Sequence, residues 1–407
     1  MRALVLLTAW LLTACDFVLA IDVGSDGGVD AGSSETGLVE LARLGGAPSL
    51  TGTFSFACGV RPDGQGGLYV AIDTDTGLDG PARGMRDLVV ARLDASGRPR
   101  WLRQLGDEGT ISPLFTRGCA LDVDASGNVY VAGLVNGRGA FLGEPLPALF
   151  TALVVSYSAD GALRWIRLLG EAGGAEAMGV SVVGDDVRVL GYANGGLVGV
   201  SALGAGDVFF ARLAATGGTV RELRLLGSGD EDLPAGLVPE ALAYVTTVGV
   251  RGPISATVRV PLLADGGFGA ATSMPEGLER LASLDATLIT ASTASTDAGL
   301  VVTVRAFDEQ GGLSAERTLP SMSGASLRAF GCGAVGCVVS LSTRALTRLH
   351  VLGRSLEVTR TLQLSGVDGG SAPLLRDATV LGDDFVLVGS LNGPSRADAV
   401  VWRLKTK

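Results

Sequence analysis

Two phrases decide the fold of this chain: GCALDVDASGNVYVAG, from Gly118 to Gly133, and TALVVSYSADGALRWIRLLG, from Thr151 to Gly170. CALDVD alternates, DASGN is a turn cluster, and NVYVAG is β-branched and aromatic up to a closing glycine. After a connection, ALVVSYS and LRWIRLL form a second pair around the turn SADG. Four short strands with no helical period between them predict a small up-and-down antiparallel sheet. Such a sheet cannot bury its own faces, so neighbouring copies must stack on it.

The copies are present. DLVVARLDASG (Asp87 to Gly97) aligns with the third strand and turn of the unit, and so does DVFFARLAATG (Asp207 to Gly217). DAVVWRLK (Asp398 to Lys405) closes the chain with the same strand. The strand after each turn is shared as well: PRWLRQLG ends at Gly106, LRWIRLLG at Gly170 and RELRLLG at Gly227. Weaker copies turn at Gly266, Gly311 and Gly353, with the following strands ending near Pro275, Pro320 and Ser365. The last copy stops where its turn should begin and lacks a fourth strand. The missing strand stands at the other end, because ELARLGG (Glu40 to Gly46) matches ELRLLGS (Glu222 to Ser228).

Asp87-Leu-Val-Val-Ala-Arg-Leu-Asp94, Trp101 and Gly127-Asn-Val-Tyr-Val-Ala-Gly133 carry a resemblance to the bacterial seven-bladed β-propeller repeat family, clearest over residues 54–227. The resemblance implies an architecture and no single activity. The expected fold is therefore all-β: a seven-bladed β-propeller with four-stranded antiparallel blades. Residues 38–45 should pair with 398–405, so that the N-terminal strand completes the last blade and closes the ring without an open edge.

With 407 residues the chain can bury a large core, and propellers grow as one ring, so residues 37–407 are read as one domain. Its 61 glycines fit many tight turns, since 47% of residues are hydrophobic. A formal charge of −10 with no basic run argues against a nucleic-acid partner.

Met1 to Cys15 reads MRALVLLTAWLLTAC, one positive charge before an apolar run too short for a mature membrane span, hence an export signal over 1–14. Leu12-Thr13-Ala14-Cys15 resembles the lipobox of bacterial lipoproteins, which makes Cys15 the lipid attachment site. Residues 15–36 are rich in Gly, Ser and Asp and read as a flexible tether. The expected location is the bacterial cell envelope, with the outer membrane or cell surface favoured over the inner membrane.

Four further cysteines suit an exported chain. Cys332 and Cys337 flank a tight turn and are expected to form a hairpin disulfide. Cys58 and Cys119 hold the same place in consecutive copies; they either bond, if their Cα atoms lie under about 7 Å apart, or remain two buried thiols.

Other candidates have plain structural readings. Asp73, Asp75 and Asp79, and the run Asp122-Val-Asp124-Ala-Ser126-Gly127, have spacings a calcium ion could use, but Asp, Ser and Gly are also turn formers, and the turn reading is preferred. His350, the single histidine, reads as structural. Trp101, Trp165 and Trp402 read as inter-blade packing, and Asp87, Asp207 and Asp398 as acceptors of backbone amides rather than a ring of acids around one mouth. The functional expectation is a monomeric, non-enzymatic, lipid-anchored scaffold without a cofactor. Its binding surfaces would be the long loops 73–86 and 134–150, facing a protein or envelope component. The alternatives are an envelope-polymer hydrolase or lyase with carboxylates in the central channel, and a calcium-dependent adhesion module.

Overall fold

A computed structural model describes residues 37–45, 54–108, 119–171, 173–197, 199–238, 243–248, 256–263, 268–274, 278–285, 287–308, 310–366, 371–392 and 397–406. Cys15, the export signal and the tether lie outside the described residues, as do the expected turn and strand end at Gly266 and Pro275.

Among the described residues every regular element is a strand. β1 (Leu38–Leu44) precedes the first four-stranded sheet, which comprises β2 (Ser55–Pro62), β3 (Leu68–Thr74), β4 (Asp87–Leu93) and β5 (Pro99–Leu105). The second sheet has β6 (Ala120–Val123) and β7 (Val129–Asn136), then, after a two-stranded ribbon of β8 (Ala140–Phe141) and β9 (Glu144–Pro145), β10 (Phe150–Tyr157) and β11 (Leu163–Leu169). β12 (Ala175–Val183), β13 (Asp186–Ala193), β14 (Asp207–Ala214) and β15 (Val220–Leu226) form the third. The fourth contains β16 (Leu233–Val238), β17 (Ala243–Val248), β18 (Ala256–Pro261) and β19 (Thr272–Met274). The fifth contains β20 (Leu278–Leu284), β21 (Thr287–Thr296), β22 (Gly299–Phe307) and β23 (Leu313–Thr318). The sixth contains β24 (Ser326–Gly333), β25 (Gly336–Ser342), β26 (Leu346–Leu352) and β27 (Val358–Ser365). In the seventh, β28 (Leu374–Leu381), β29 (Asp384–Asn392) and β30 (Ala397–Leu404) are joined by β1 as the fourth strand.

All pairings within these sheets are antiparallel, and β1 runs along β30 from Leu38 opposite Leu404 to Leu44 opposite Ala399. The first strands of the sheets touch in succession, β2 to β6, β12, β16, β20, β24 and β28, and β28 touches β2. Middle strands are covered on both faces, which is why LYVAIDT and DLVVARL are buried along their whole length. Fourth strands such as PRWLRQL keep one face partly in solvent.

Because each sheet runs up and down, its first and third turns lie at one end. The second-to-third connection and the crossing to the next sheet lie at the other. The first is the turn end and the second the loop end.

A repeated latch joins neighbouring sheets near the turn end. Trp101 Nε1 donates to Ala159 O of the second sheet at 2.9 Å, and Trp165 Nε1 donates to Ala215 O of the third at 2.9 Å. Below each indole, an arginine donates to the same turn: Arg103 to Gly161 O at 2.7 Å, and Arg167 to Gly218 O at 2.8 Å. The rings press on these glycines. A Cβ on Gly218, whose φ is +65°, would lie 2.6 Å from the Trp165 ring. Trp402 is buried with Leu38, Leu349 and Leu362 where the last two sheets meet. All three indoles therefore pack between sheets, in line with their repeat positions.

The recurrent aspartates also have a structural task. Asp87 accepts from the amides of Arg83 and Gly84, and Asp207 from those of Leu203 and Gly204, at the entry of the third strand. The Asp87 carboxyl fills the space over Gly106, which follows its fourth strand; over Gly227 the nearest carboxyl is that of Asp232, with Asp207 behind it. The Asp87 arrangement recurs where Asp398 packs over Gly45, the residue that follows β1. β1 thus reproduces a fourth-strand contact as well as the hydrogen-bond register. All three acids, Asp87, Asp207 and Asp398, are buried at the loop end of their third strands.

Candidate functional site

The two long connections expected to carry function are braced. In the connection after β3, the hydroxyls of Ser55, Thr74 and Thr76 bond to one another in a buried cluster. Gln104 Oε1 accepts from the amides of Leu78 and Asp79, at 2.8 and 3.0 Å, while its amide group donates to Asp87. Arg86 forms a two-point ion pair with Asp73 and lies over the Phe54 ring. The connection after β7 is a hairpin rather than an open loop: β8 and β9 meet around Leu142 and Gly143, both at positive φ, and Phe141 beneath them is fully buried. The ribbon leaves no periodic trace in the sequence, because only two residues on each side pair.

These braced connections present apolar side chains to solvent. Met85, Leu142, Leu149, Phe150 and Leu203 are all exposed. Met85, Leu142, Leu149 and Leu203 belong to the second-to-third connections of three consecutive sheets and Phe150 opens β10, so they share the loop end.

Four of the candidate calcium ligands, Asp73, Asp75, Asp122 and Asp124, are engaged elsewhere. Asp73 is buried against Arg86, and Asp75 accepts from the Phe54 amide at 2.7 Å. Burial pushes the Asp73 carboxyl up to about 7, against the pull of Arg86. In the second run, Asp124 accepts from the amides of Ser126 and Asn128, from the Asn128 side chain and from the Tyr130 hydroxyl. Asp122 instead accepts from Val182 N in the next sheet, at 2.7 Å. The run is a turn with an inter-sheet tie. Among the described residues no group of three His, Cys, Asp or Glu side chains converges to hold a metal.

His350 lies buried on β26, with Nδ1 3.1 Å from the Thr361 hydroxyl. Burial, and then Arg348, lower its pKa, which keeps the ring neutral.

Both cysteine pairs are brought together. Cys58 and Cys119 are bonded with Cα atoms 5.0 Å apart, and Cys332 and Cys337 with Cα atoms 4.1 Å apart. Cys332 and Cys337 face each other across the β24–β25 hairpin. Cys58 stands four residues into the β2 stretch, at a bulge, whereas Cys119 directly precedes β6. The equivalence read from the repeat holds in space although the strand starts differ.

The same bulge recurs in the first strands β2, β12, β16, β20, β24 and β28. A bulge kinks a strand and re-aims a side chain. Here the bulged residues Cys58, Met178, Ala235, Glu279 and Arg376 line a cavity of about 170 Å³ among the first strands, together with Arg61, Arg280 and Asp377. A second cavity of about 480 Å³ continues toward the turn end and shares Arg61, Phe330 and Asp377 with the first. Asp377 accepts from Val60 N at 3.0 Å and from Arg61 at 3.3 Å. Arg376 lies 4.4 Å from the centre of the Phe56 ring. The charged lining was not singled out from the sequence, although Arg280, Arg328 and Arg376 follow one another at intervals of 48 residues. That period was the available signal.

No family model matches the chain, and no curated protein matches it. Solved structures do. The β-propeller domain of Cps50 (Swd1) from Myceliophteria thermophila superimposes with a TM-score of 0.51 at 10% identity, covering 88% of this chain and 99% of that one. The β-propeller domain of the trilobed protease from Pyrococcus furiosus gives 0.49 at 8% identity, covering 86% and 93%. The fold is that of a β-propeller, and at such identities the likeness extends to the fold alone.

Proposed function

We propose that this chain is a seven-bladed β-propeller, closed by β1 as the fourth strand of its last blade, and that it acts as an exported, lipid-anchored, non-enzymatic scaffold. Its loop end would hold a protein partner in the cell envelope. The observation that carries this reading is the set of exposed apolar side chains on connections fixed by buried hydrogen bonds. Large apolar groups left in water on rigid supports suit docking, since little ordering entropy is then lost on binding. The succession of first-strand contacts from β2 round to β28 and back supports the closed ring, and so does the Asp398–Gly45 contact. The two cysteine pairs support an oxidising compartment.

The position of β1 supports one orientation on the membrane. Leu38 lies beside Leu404, at the turn end, so a tether from Cys15 would reach the ring there. The loop end would then point away from the lipid. Crosslinking in intact cells should capture a partner through the loop end. Met85→Ser combined with Leu203→Ser should abolish capture without lowering the melting temperature, and unchanged capture would refute the reading. Cys15→Ser should release the protein from the membrane fraction; continued sedimentation with membranes would refute the anchor.

A further inference from the structure

We infer that the cavity lined by Arg280 and Arg376 is an oxyanion site, in which these arginines and the adjacent Arg328 hold the carboxylate or phosphate group of a small ligand. The inference stands whether or not the loop end docks a partner. The three guanidinium groups come from β20, β24 and β28, and Arg280 Nε donates to Arg328 O at 3.0 Å, which draws the first two strands together. The acids in and around the cavity are already committed. Asp377 is taken by Arg61 and Val60 N, Glu279 accepts from the Thr293 hydroxyl, and Asp73 is paired with Arg86. Arg376 has only the more distant pull of Asp73, which is paired with Arg86, and the Nε atoms of Arg328 and Arg376 are buried with no hydrogen-bond partner among the described residues.

Buried donors without acceptors are costly, and like charges at close range add to the cost. Burial, then Arg328 and Arg280, lower the Arg376 pKa to about 10. An anion would relieve both penalties. The Phe56 ring under Arg376 holds the guanidinium by its face and leaves its donor edges free for a two-point bond to a planar or tetrahedral oxyanion. A cavity of about 170 Å³ admits a phosphate ion or a short dicarboxylate. Its walls also carry Asp377, whose carboxyl is held by Arg61 and Val60 N, and the uncharged Cys58, Cys119 and Met178.

The test is calorimetric titration of the full-length protein in detergent with inorganic phosphate and, separately, succinate, at constant ionic strength set with chloride. At least one probe should bind saturably, and the one that binds tells whether phosphate or carboxylate is the recognised group. Arg376→Met and Arg328→Met should each weaken binding about tenfold or more. Without probe, both variants should melt at or above the wild type, because a buried like charge has been removed. Arg221→Met, far from the cavity on an exposed ion pair, should bind as the wild type does. If a Met variant does not fold, Arg376→Lys retains the charge without the planar fork and should show the same loss. Absence of saturable binding to both probes, or wild-type binding by the arginine variants, would overturn the inference.

Discussion

Replacing Trp165 with alanine tests the latch between neighbouring sheets at its best-defined instance. The indole is 8% exposed and reaches across to the third sheet, where it donates to Ala215 O and presses on Gly218. Emptying a packed tryptophan site should destabilise by about 3–5 kcal/mol. Trp165→Phe keeps most of the packing and loses the N–H donor, so its cost should be nearer 1 kcal/mol, roughly that of one hydrogen bond. Gly218→Ala adds a second handle. In the wild type it should cost about 2–4 kcal/mol, part from the positive φ and part from a Cβ pressed to 2.6 Å from the ring. In the Trp165→Ala background only the backbone part, about 1 kcal/mol, should remain. Urea denaturation of the four proteins closes a double-mutant cycle, whose expected coupling is about 1–3 kcal/mol in the direction of relief. Strictly additive effects, or a Phe variant as damaged as the Ala variant, would refute the latch.

Three further outcomes are expected. The Asp73 carboxyl, held up to about 7 in the folded protein, binds a proton that the unfolded chain releases near 3.8. Stability should therefore fall as pH rises from about 4 to about 7, by on the order of 2–4 kcal/mol, and Asp73→Asn should flatten that slope in thermal melts; an unchanged slope would contradict it. Asp63 has the opposite sign. Burial raises its pKa, but hydrogen bonds from Arg92 and from the amides of Gln65 and Gly67 hold it below 3.8, so its contribution is present above that value and is lost as pH falls through the folded pKa. Arg92→Met should remove this acid-side loss, and a titration unaltered below pH 4 would count against it. Thiol titration of the unreduced, denatured protein should find none of Cys58, Cys119, Cys332 or Cys337 free. Reduction should cost about 4 kcal/mol for the pair spanning 61 residues and less for the pair spanning 5; four titratable groups would exclude both bonds.

Much of the architecture could be read from the chain because a propeller unit repeats its own local chemistry. The third-strand phrase opening at Asp87, Asp207 and Asp398 marks the same buried acceptor each time, and ELARLGG carries the glycine that the last of these needs. The ribbon at Ala140–Pro145 was illegible because two-residue strands leave no periodic trace. The channel was illegible for a different reason. Its lining comes from bulged positions and their neighbours, so Glu279, Arg280 and Arg376 are set side by side by packing while the sequence scatters them along the chain. Strand alternation gives no warning of a bulge, since it inserts one residue that breaks the period.

The central claim is that β1 serves as the outer strand of the last sheet. Hydrogen exchange along β30 tests it most directly, comparing the intact protein with one lacking residues 37–45. The amides of β30 that face β1 should lose protection by orders of magnitude on deletion, while those bonded to β29 keep most of theirs. Equal protection in the two proteins would mean that residues 38–44 do not complete that sheet.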